Sequence, residues 1–242
     1  MHMNIKKLIR LLPGGKKYLD QRRYKKQKKQ TEAYGDNAKE RFTTIYKDKI
    51  WSDGETVSGP GSTLQYTENI RKELPALFDE LRIMSFLDAP CGDFNWFSKI
   101  NLPEEFRYTG GDIVKDIITS NKELYQGDNV GFIELNIIED PLPSADLWMC
   151  RDCLFHFSNE DIIHTLHNFL AADIQYLLTS THTKITKNLD IPTGEARGLN
   201  LEMSPFNFPK ADRYIEDYIE GFPVRYLALW SRDAVKGALE RI

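Results

Sequence analysis

From about residue 62 onward, short apolar runs alternate with longer stretches whose apolar positions recur every three or four residues. Ser62-Thr63-Leu64-Gln65 has the form of a capping box, and Ile70, Leu74, Leu77, Phe78 and Leu81 follow at helical spacing, which predicts a helix to about residue 80. Ile83–Asp88 then reads as a buried strand. Further strands are expected at Phe106–Asp112, Val130–Ile137, Asp146–Cys150, Ile174–Ser180 and Val224–Trp230. Between them lie helical segments, the clearest being Ser158–Ala172. There Ser158 and Asp161 form a second capping box, and Ile162, Ile163, Leu166, Phe169 and Leu170 share a face. Strands separated by helices of this length imply parallel crossovers. The fold class expected is therefore α/β, a doubly wound, mostly parallel sheet with helices on both faces. Such sheets bind ligands beyond the carboxyl ends of their strands, so the residues after each strand become the candidates for function.

After the first strand comes Asp88-Ala89-Pro90-Cys91-Gly92-Asp93-Phe94-Asn95-Trp96, a tight turn with one glycine where backbone can approach a ligand. After the second comes Gly110-Gly111-Asp112, with Asp112 twenty residues beyond Gly92. A carboxylate at that offset can accept both hydroxyls of a ribose. A dinucleotide would bring a pyrophosphate to the first turn and would need G-x-G-x-x-G. Here two of those glycines are missing, and Asp88 and Asp93 bracket the turn. Like charges about 4 Å apart repel by roughly 4 kcal/mol at an effective dielectric of 20. Such a mouth disfavours pyrophosphate and suits a cationic nucleoside, S-adenosylmethionine.

With these residues in view, the chain resembles class I S-adenosylmethionine-dependent methyltransferases over roughly residues 45–235. More narrowly it is similar to a branch associated with surface-glycan biosynthesis. The elements carrying the likeness are Leu87–Trp96, Gly111–Ile113, Arg151–His156 and Asn200–Phe206. The resemblance implies a Rossmann-like, seven-stranded sheet, S-adenosylmethionine as methyl donor with S-adenosylhomocysteine as product, and a sugar or sugar-like acceptor. It also implies that Asp88, Gly92 and Asp93 lie along the methionine moiety, Asp112 on the ribose, Ile113 and Asn136 at the adenine, and Arg151 beside the donor, with Pro90 and Trp96 also binding the cofactor. Pro90 and Phe94 stand where the family usually has glycine.

Transfer to a hydroxyl needs a base within hydrogen-bond reach. Asp152 and His156, just past the fourth strand, and His182, just past the fifth, are the catalytic candidates. His156 titrates near neutrality when unperturbed, which suits that role. Trp51 through Ser58, Gly59 and Ser62 is expected to cover the methionine end. Asn188, Arg197, Asn200 and Phe206, after the fifth strand, are expected to contact a hydroxylated acceptor. No metal site is expected, because Cys150-Arg151-Asp152-Cys153 has no second C-x-x-C. N-methylation of an amino sugar or small amine stays open. An NAD-dependent oxidoreductase and a non-catalytic nucleotide binder are the readings from other classes.

The 242 residues are enough for one medium domain, and 41% hydrophobic with 28% charged marks a globular chain. Three organisational segments are expected: a basic extension at 1–30, a helical and lid segment at 31–61, and the catalytic domain at 62–242. The first holds eleven Lys and Arg against Asp20, a charge of +10, while the rest of the chain sums to −14. Ile5, Leu8, Ile9 and Leu12 form a short apolar stripe among those lysines. This end reads as a solvated extension or as a segment that docks on an anionic membrane surface. No nucleic-acid partner is expected, since no stacking surface is interleaved with the charge. Three cysteines and no apolar run near the ~18 residues of a membrane span fit a cytoplasmic protein, with peripheral contact at the inner membrane face as the variant.

Overall fold

A computed structural model describes residues 12–242. Its seven strands are β1 (Ser85–Asp88), β2 (Arg107–Asp112), β3 (Val130–Glu134), β4 (Ala145–Cys150), β5 (Ile174–Thr181), β6 (Arg213–Glu216) and β7 (Tyr226–Ser231). They form one sheet in the order β3-β2-β1-β4-β5-β7-β6. The first five strands run parallel, while β7 is antiparallel to both β5 and β6. The six strands expected from sequence are all present. The seventh, β6, escaped notice because only Ile215 of its four residues is buried. An edge strand with one covered position has no alternation to read.

The helices are α1 (Gly15–Glu32), α2 (Ala38–Lys47), α3 (Glu68–Leu81), α4 (Lys115–Tyr125), α5 (Asn159–Ala171) and α6 (Arg232–Leu239). Successive residues of β4 show why its sequence is continuously apolar. Trp148 and Cys150 pack under α5 and α6 with Phe169 and Trp230, whereas Leu147 and Met149 pack under α3 with Leu74 and Phe86. A strand covered on both faces cannot alternate with polar residues. The cap at Ser158 forms as expected, its side chain accepting from the Asp161 N–H at 3.1 Å.

The capping box at Ser62 does not form. Pro60–Ser62 is a 3₁₀ turn, and α3 starts only at Glu68. The intervening backbone is used elsewhere: Leu64 N–H donates to Glu55 at 2.7 Å, and Thr63 Oγ1 receives Tyr66 N–H at 3.2 Å. The basic run is likewise not a frayed extension where it is described, because α1 continues past residue 30 to Glu32 and bonds to the 187–195 loop. Ile5, Leu8 and Ile9 lie outside the described residues. No helix among those described is long and apolar enough to cross a membrane.

Candidate active site

Sheet order reverses between β1 and β4, and a cleft opens beyond the carboxyl ends of β1, β2 and β4. The first turn is held by its neighbours. Gly92 N–H donates to Asp112 Oδ2 at 3.1 Å, Asn121 Nδ2 donates to the Gly92 carbonyl at 2.8 Å, and Cys91 N–H donates to the Gly111 carbonyl at 2.8 Å. Gly92 has φ +56°, and a Cβ there would overlap Ser58 Oγ, so turn and covering segment meet only because this residue is glycine.

Asp88 and Asp112 face this cleft at 2% and 6% exposure, and neither forms an ion pair with a described residue. Asp88 accepts from the Tyr108 hydroxyl at 2.8 Å, and Asp112 also accepts from Val114 N–H at 2.9 Å. Burial pushes Asp88 up to about 7 and Asp112 up to about 6, against their hydrogen bonds. Asp93 departs from the expectation. It leaves the cleft and binds the covering segment, accepting from Thr56 Oγ1 at 2.7 Å and Val57 N–H at 3.0 Å. The negative pair at the mouth is thus Asp88 with Asp112, not Asp88 with Asp93.

The cleft and its open mouth together hold roughly 1000 Å³ of space not filled by atoms. Pro90, Gly92, Trp96, Ser58 and Ser62 line it, and so do Ile113 and Asn136, joined by Leu135 and Ile137. Asn136 also shapes its own turn, with Oδ1 receiving Ile138 N–H at 3.1 Å. Gly59 is not in the lining; it sits at φ +93° against Trp51.

Past β4, four charges close on one another. Arg151 donates from Nε and Nη2 to the Asp217 carboxylate at 3.1 and 2.7 Å, and from Nη2 to the Gly61 carbonyl at 2.6 Å. Arg225 joins Asp152 at 2.6 Å and Asp217 at 3.1 Å. Burial opposes the charge on Asp152, but Arg225 and then Arg151 outweigh it and hold its carboxyl below the usual range. Two guanidinium groups against two carboxylates leave the cluster neutral. Arg151 lines the cleft, with its Nε and Nη2 engaged by Asp217 and Gly61. Asp217 and Arg225 were not foreseen, because they flank the β6–β7 connection, far along the chain from Asp152.

His156 also lines the cleft. Its Nδ1 lies 3.0 Å from the Glu195 carbonyl, which can only accept, so Nδ1 carries the proton and Nε2 has a free lone pair. Burial lowers its proton affinity, opposed by the charge of Asp152. Trp51 packs on its ring at 4.6 Å between centroids, and Phe42 contacts both Trp51 and Phe157 at 5.9 Å. This aromatic wall was mostly missed: Phe42, Ile45 and Tyr46 line the cleft from α2, where they resemble any apolar helix face.

The other candidates are turned away. His182 Nδ1 meets backbone of Leu199 at 3.3 Å, and its ring lies edge-on to Phe155. Arg197 clamps the Phe157 carbonyl and Asn159. Asn188 and Asn200 pair reciprocally, Asn188 Nδ2 donating to the Asn200 carbonyl at 2.8 Å and Asn200 N–H to Asn188 Oδ1 at 2.9 Å. Phe206 is fully buried in the core. None of these five lines the cleft. Their polarity serves the loop's own backbone, which must be satisfied once buried. Among the described residues, no group of three or more His, Cys, Asp and Glu gathers as a metal site, and the three cysteines are unpaired.

No protein-family profile matches the chain, and no curated protein sequence does. Solved structures do match. Human N-acetylserotonin methyltransferase in complex with SAM aligns over 83% of this chain at 16% identity and a TM-score of 0.52; this chain spans 61% of that enzyme's length. Magnesium protoporphyrin IX methyltransferase from Synechocystis PCC 6803 with bound SAM aligns over 82% of this chain and 98% of its own, at 15% identity and a TM-score of 0.54. The N-methyltransferase NodS from Bradyrhizobium japonicum WM9 covers 69% of this chain and 96% of its own, at 10% identity and a TM-score of 0.51. The chain therefore has the Rossmann-like fold of class I methyltransferases.

Proposed function

We propose that this chain is an S-adenosylmethionine-dependent methyltransferase that modifies a hydroxyl of a small carbohydrate-class acceptor: a sugar, a sugar nucleotide or a surface-glycan precursor. One observation carries the donor assignment. Two buried carboxylates that form no ion pair among the described residues, Asp88 and Asp112, stand at the ends of adjacent strands beside the turn at Gly92. Buried charge without a partner is costly, and a cationic ligand relieves it. A pyrophosphate would worsen it. Asp112 retains acceptor capacity for ribose hydroxyls after its two backbone bonds, and Ile113, Leu135 and Ile137 supply flat apolar contact for adenine.

When bound, the donor supplies a methyl group on a positively charged sulfur. The chain's own residues position the acceptor and move its proton. His156 Nε2 accepts the hydroxyl proton, the Glu195 carbonyl fixes the ring's tautomer, and the charge of Asp152 stabilises the imidazolium. The resemblance around Arg151–His156 and the ring surfaces of Trp51 and Tyr46 support a sugar. A second reading, an aromatic hydroxyl, is favoured by the Phe42–Trp51–Phe157 wall around His156 and by the inward turn of Arg197 and Asn200.

Calorimetric titration with S-adenosylhomocysteine and NAD tests the donor: binding of NAD and not of the homocysteine nucleoside overturns the proposal. Labelled donor offered with panels of sugars, sugar nucleotides and phenols decides the acceptor class. His156→Ala should lower turnover roughly 10²–10⁴-fold with little change in donor affinity. Unchanged turnover removes His156 as the base.

A further inference from the structure

Helix α1 is attached by one face and charged on the other. Asp20 pairs with Lys187 at 3.3 Å, Arg23 donates to the Asp190 carbonyl at 2.9 Å, Gln27 bonds Glu195 at 3.3 Å, and Thr31 is fully buried. Positions 20, 23, 27 and 31 share one helical face. Around the rest of the cylinder Lys17, Arg22, Lys25, Lys26, Lys28 and Lys29 are exposed, with Arg22, Lys25 and Lys29 opposite the anchored face. Tyr18 lies on that outer side at 53% exposure, and Leu12 precedes the helix at 60%. A helix this rich in like charge repels itself, and the fold holds it through four side chains aimed at one loop.

We propose that the outer face of α1 is a docking surface for an anionic lipid bilayer. Three observations favour lipid over other polyanions. The charge is segregated, with +10 in residues 1–30 and −14 elsewhere, so only this side of the molecule is drawn to the surface while the body is held off. Apolar residues accompany the cations, Leu12 and Tyr18 in the described segment and Ile5, Leu8 and Ile9 in the sequence before it, which is the mixture that gains from headgroup and acyl layers together. The helix itself carries one exposed aromatic, too few for a stacking platform on single-stranded nucleic acid. The loop gripped by α1 also holds His156 through Glu195. This docking stands independently of methyl transfer.

The test is sedimentation of the full chain with phosphatidylcholine vesicles, with and without phosphatidylglycerol, at graded salt. Binding is expected only with the anionic lipid and should weaken as salt rises. Changing Arg22, Lys25, Lys26 and Lys29 together to Gln should weaken partitioning at least about a hundredfold, since each surface cation contributes severalfold. Changing the exposed body residues Lys72, Lys99, Lys122 and Lys236 to Gln should leave it intact. Equal partitioning of the two quadruple variants overturns the proposal. So does binding of single-stranded RNA at a salt concentration where vesicles do not bind. Donor affinity, measured on the same samples, should be equal in all variants, which separates a failed docking reading from a failed methyltransferase reading.

Discussion

Two groups of buried charge flank the cleft, built from similar residues with opposite outcomes. On the β4 side, Arg151, Asp152, Asp217 and Arg225 pair with one another. On the β1–β2 side, Asp88 and Asp112 have hydrogen-bond donors but no ion pair among the described residues. The first group is architecture. It braces the 3₁₀ turn at Gly61, where a Cβ would overlap Asp152 Oδ2, and holds Asp152 in a left-handed conformation at φ +55°. The second is a standing electrostatic deficit that a positive ligand can fill. A buried charge reports on function when its partner is missing from the chain, and on structure when its partner is present.

The sharpest way to break this contrast is Asp217→Asn, which leaves two buried guanidinium groups facing one carboxylate. It should cost about 3–5 kcal/mol of stability in thermal or denaturant unfolding. A loss below about 1 kcal/mol would show that the cluster does not hold the β4 side together. Asp112→Ala should instead weaken S-adenosylhomocysteine binding by about 1–3 kcal/mol, read by calorimetry, and unchanged affinity would take Asp112 off the ribose. Asp88→Asn should have the opposite sign to Asp217→Asn. It keeps an acceptor for the Tyr108 hydroxyl and removes an unpaired charge, so the ligand-free protein gains about 1–2 kcal/mol at pH 8 while donor affinity falls.

The same two carboxylates also set a pH course. Free aspartate titrates near pH 4, whereas Asp88 and Asp112 are raised by burial to about 7 and about 6. The folded state therefore keeps protons that the unfolded state has released. The stability these two groups contribute is full below about pH 4 and is lost as pH rises through 6 to 7. Donor binding favours the ionised forms, so its affinity should rise over the same interval with protons released. Calorimetry in buffers of different ionisation enthalpy measures that release, and an affinity flat from pH 5 to 8 would contradict it.

How far the sequence could be read depends on how local each feature is. The strand–turn pairs Asp88–Gly92 and Gly111–Asp112 announced themselves because their residues are contiguous and the fold rule says where strand ends lead. The 188–206 loop misled for the opposite reason. Asn188, Arg197 and Asn200 look like ligand contacts, since polar side chains on a loop suit a polar acceptor. Whether they face outward or satisfy buried backbone depends on how the loop is packed, and here Asn188 alone binds the carbonyls of Asn200, Met203 and Ser204. Asp93 misled by one residue of turn geometry: Phe94 beside it takes φ +56°, and the Asp93 carboxylate swings to Thr56.

By itself the sequence determined the parallel α/β architecture, the tight turn after β1, the carboxylate at the end of β2 and the histidine past β4. Each is encoded in periodicity or in neighbours along the chain. Only the tertiary structure decided which carboxylates lack a cation, that Asp217 and Arg225 close around Arg151 and Asp152, and that α2 with Trp51 walls the cleft beside His156. Those outcomes depend on pairings between residues dozens to more than a hundred positions apart. The energy of a buried charge is set by what stands next to it in space, and no local pattern records that.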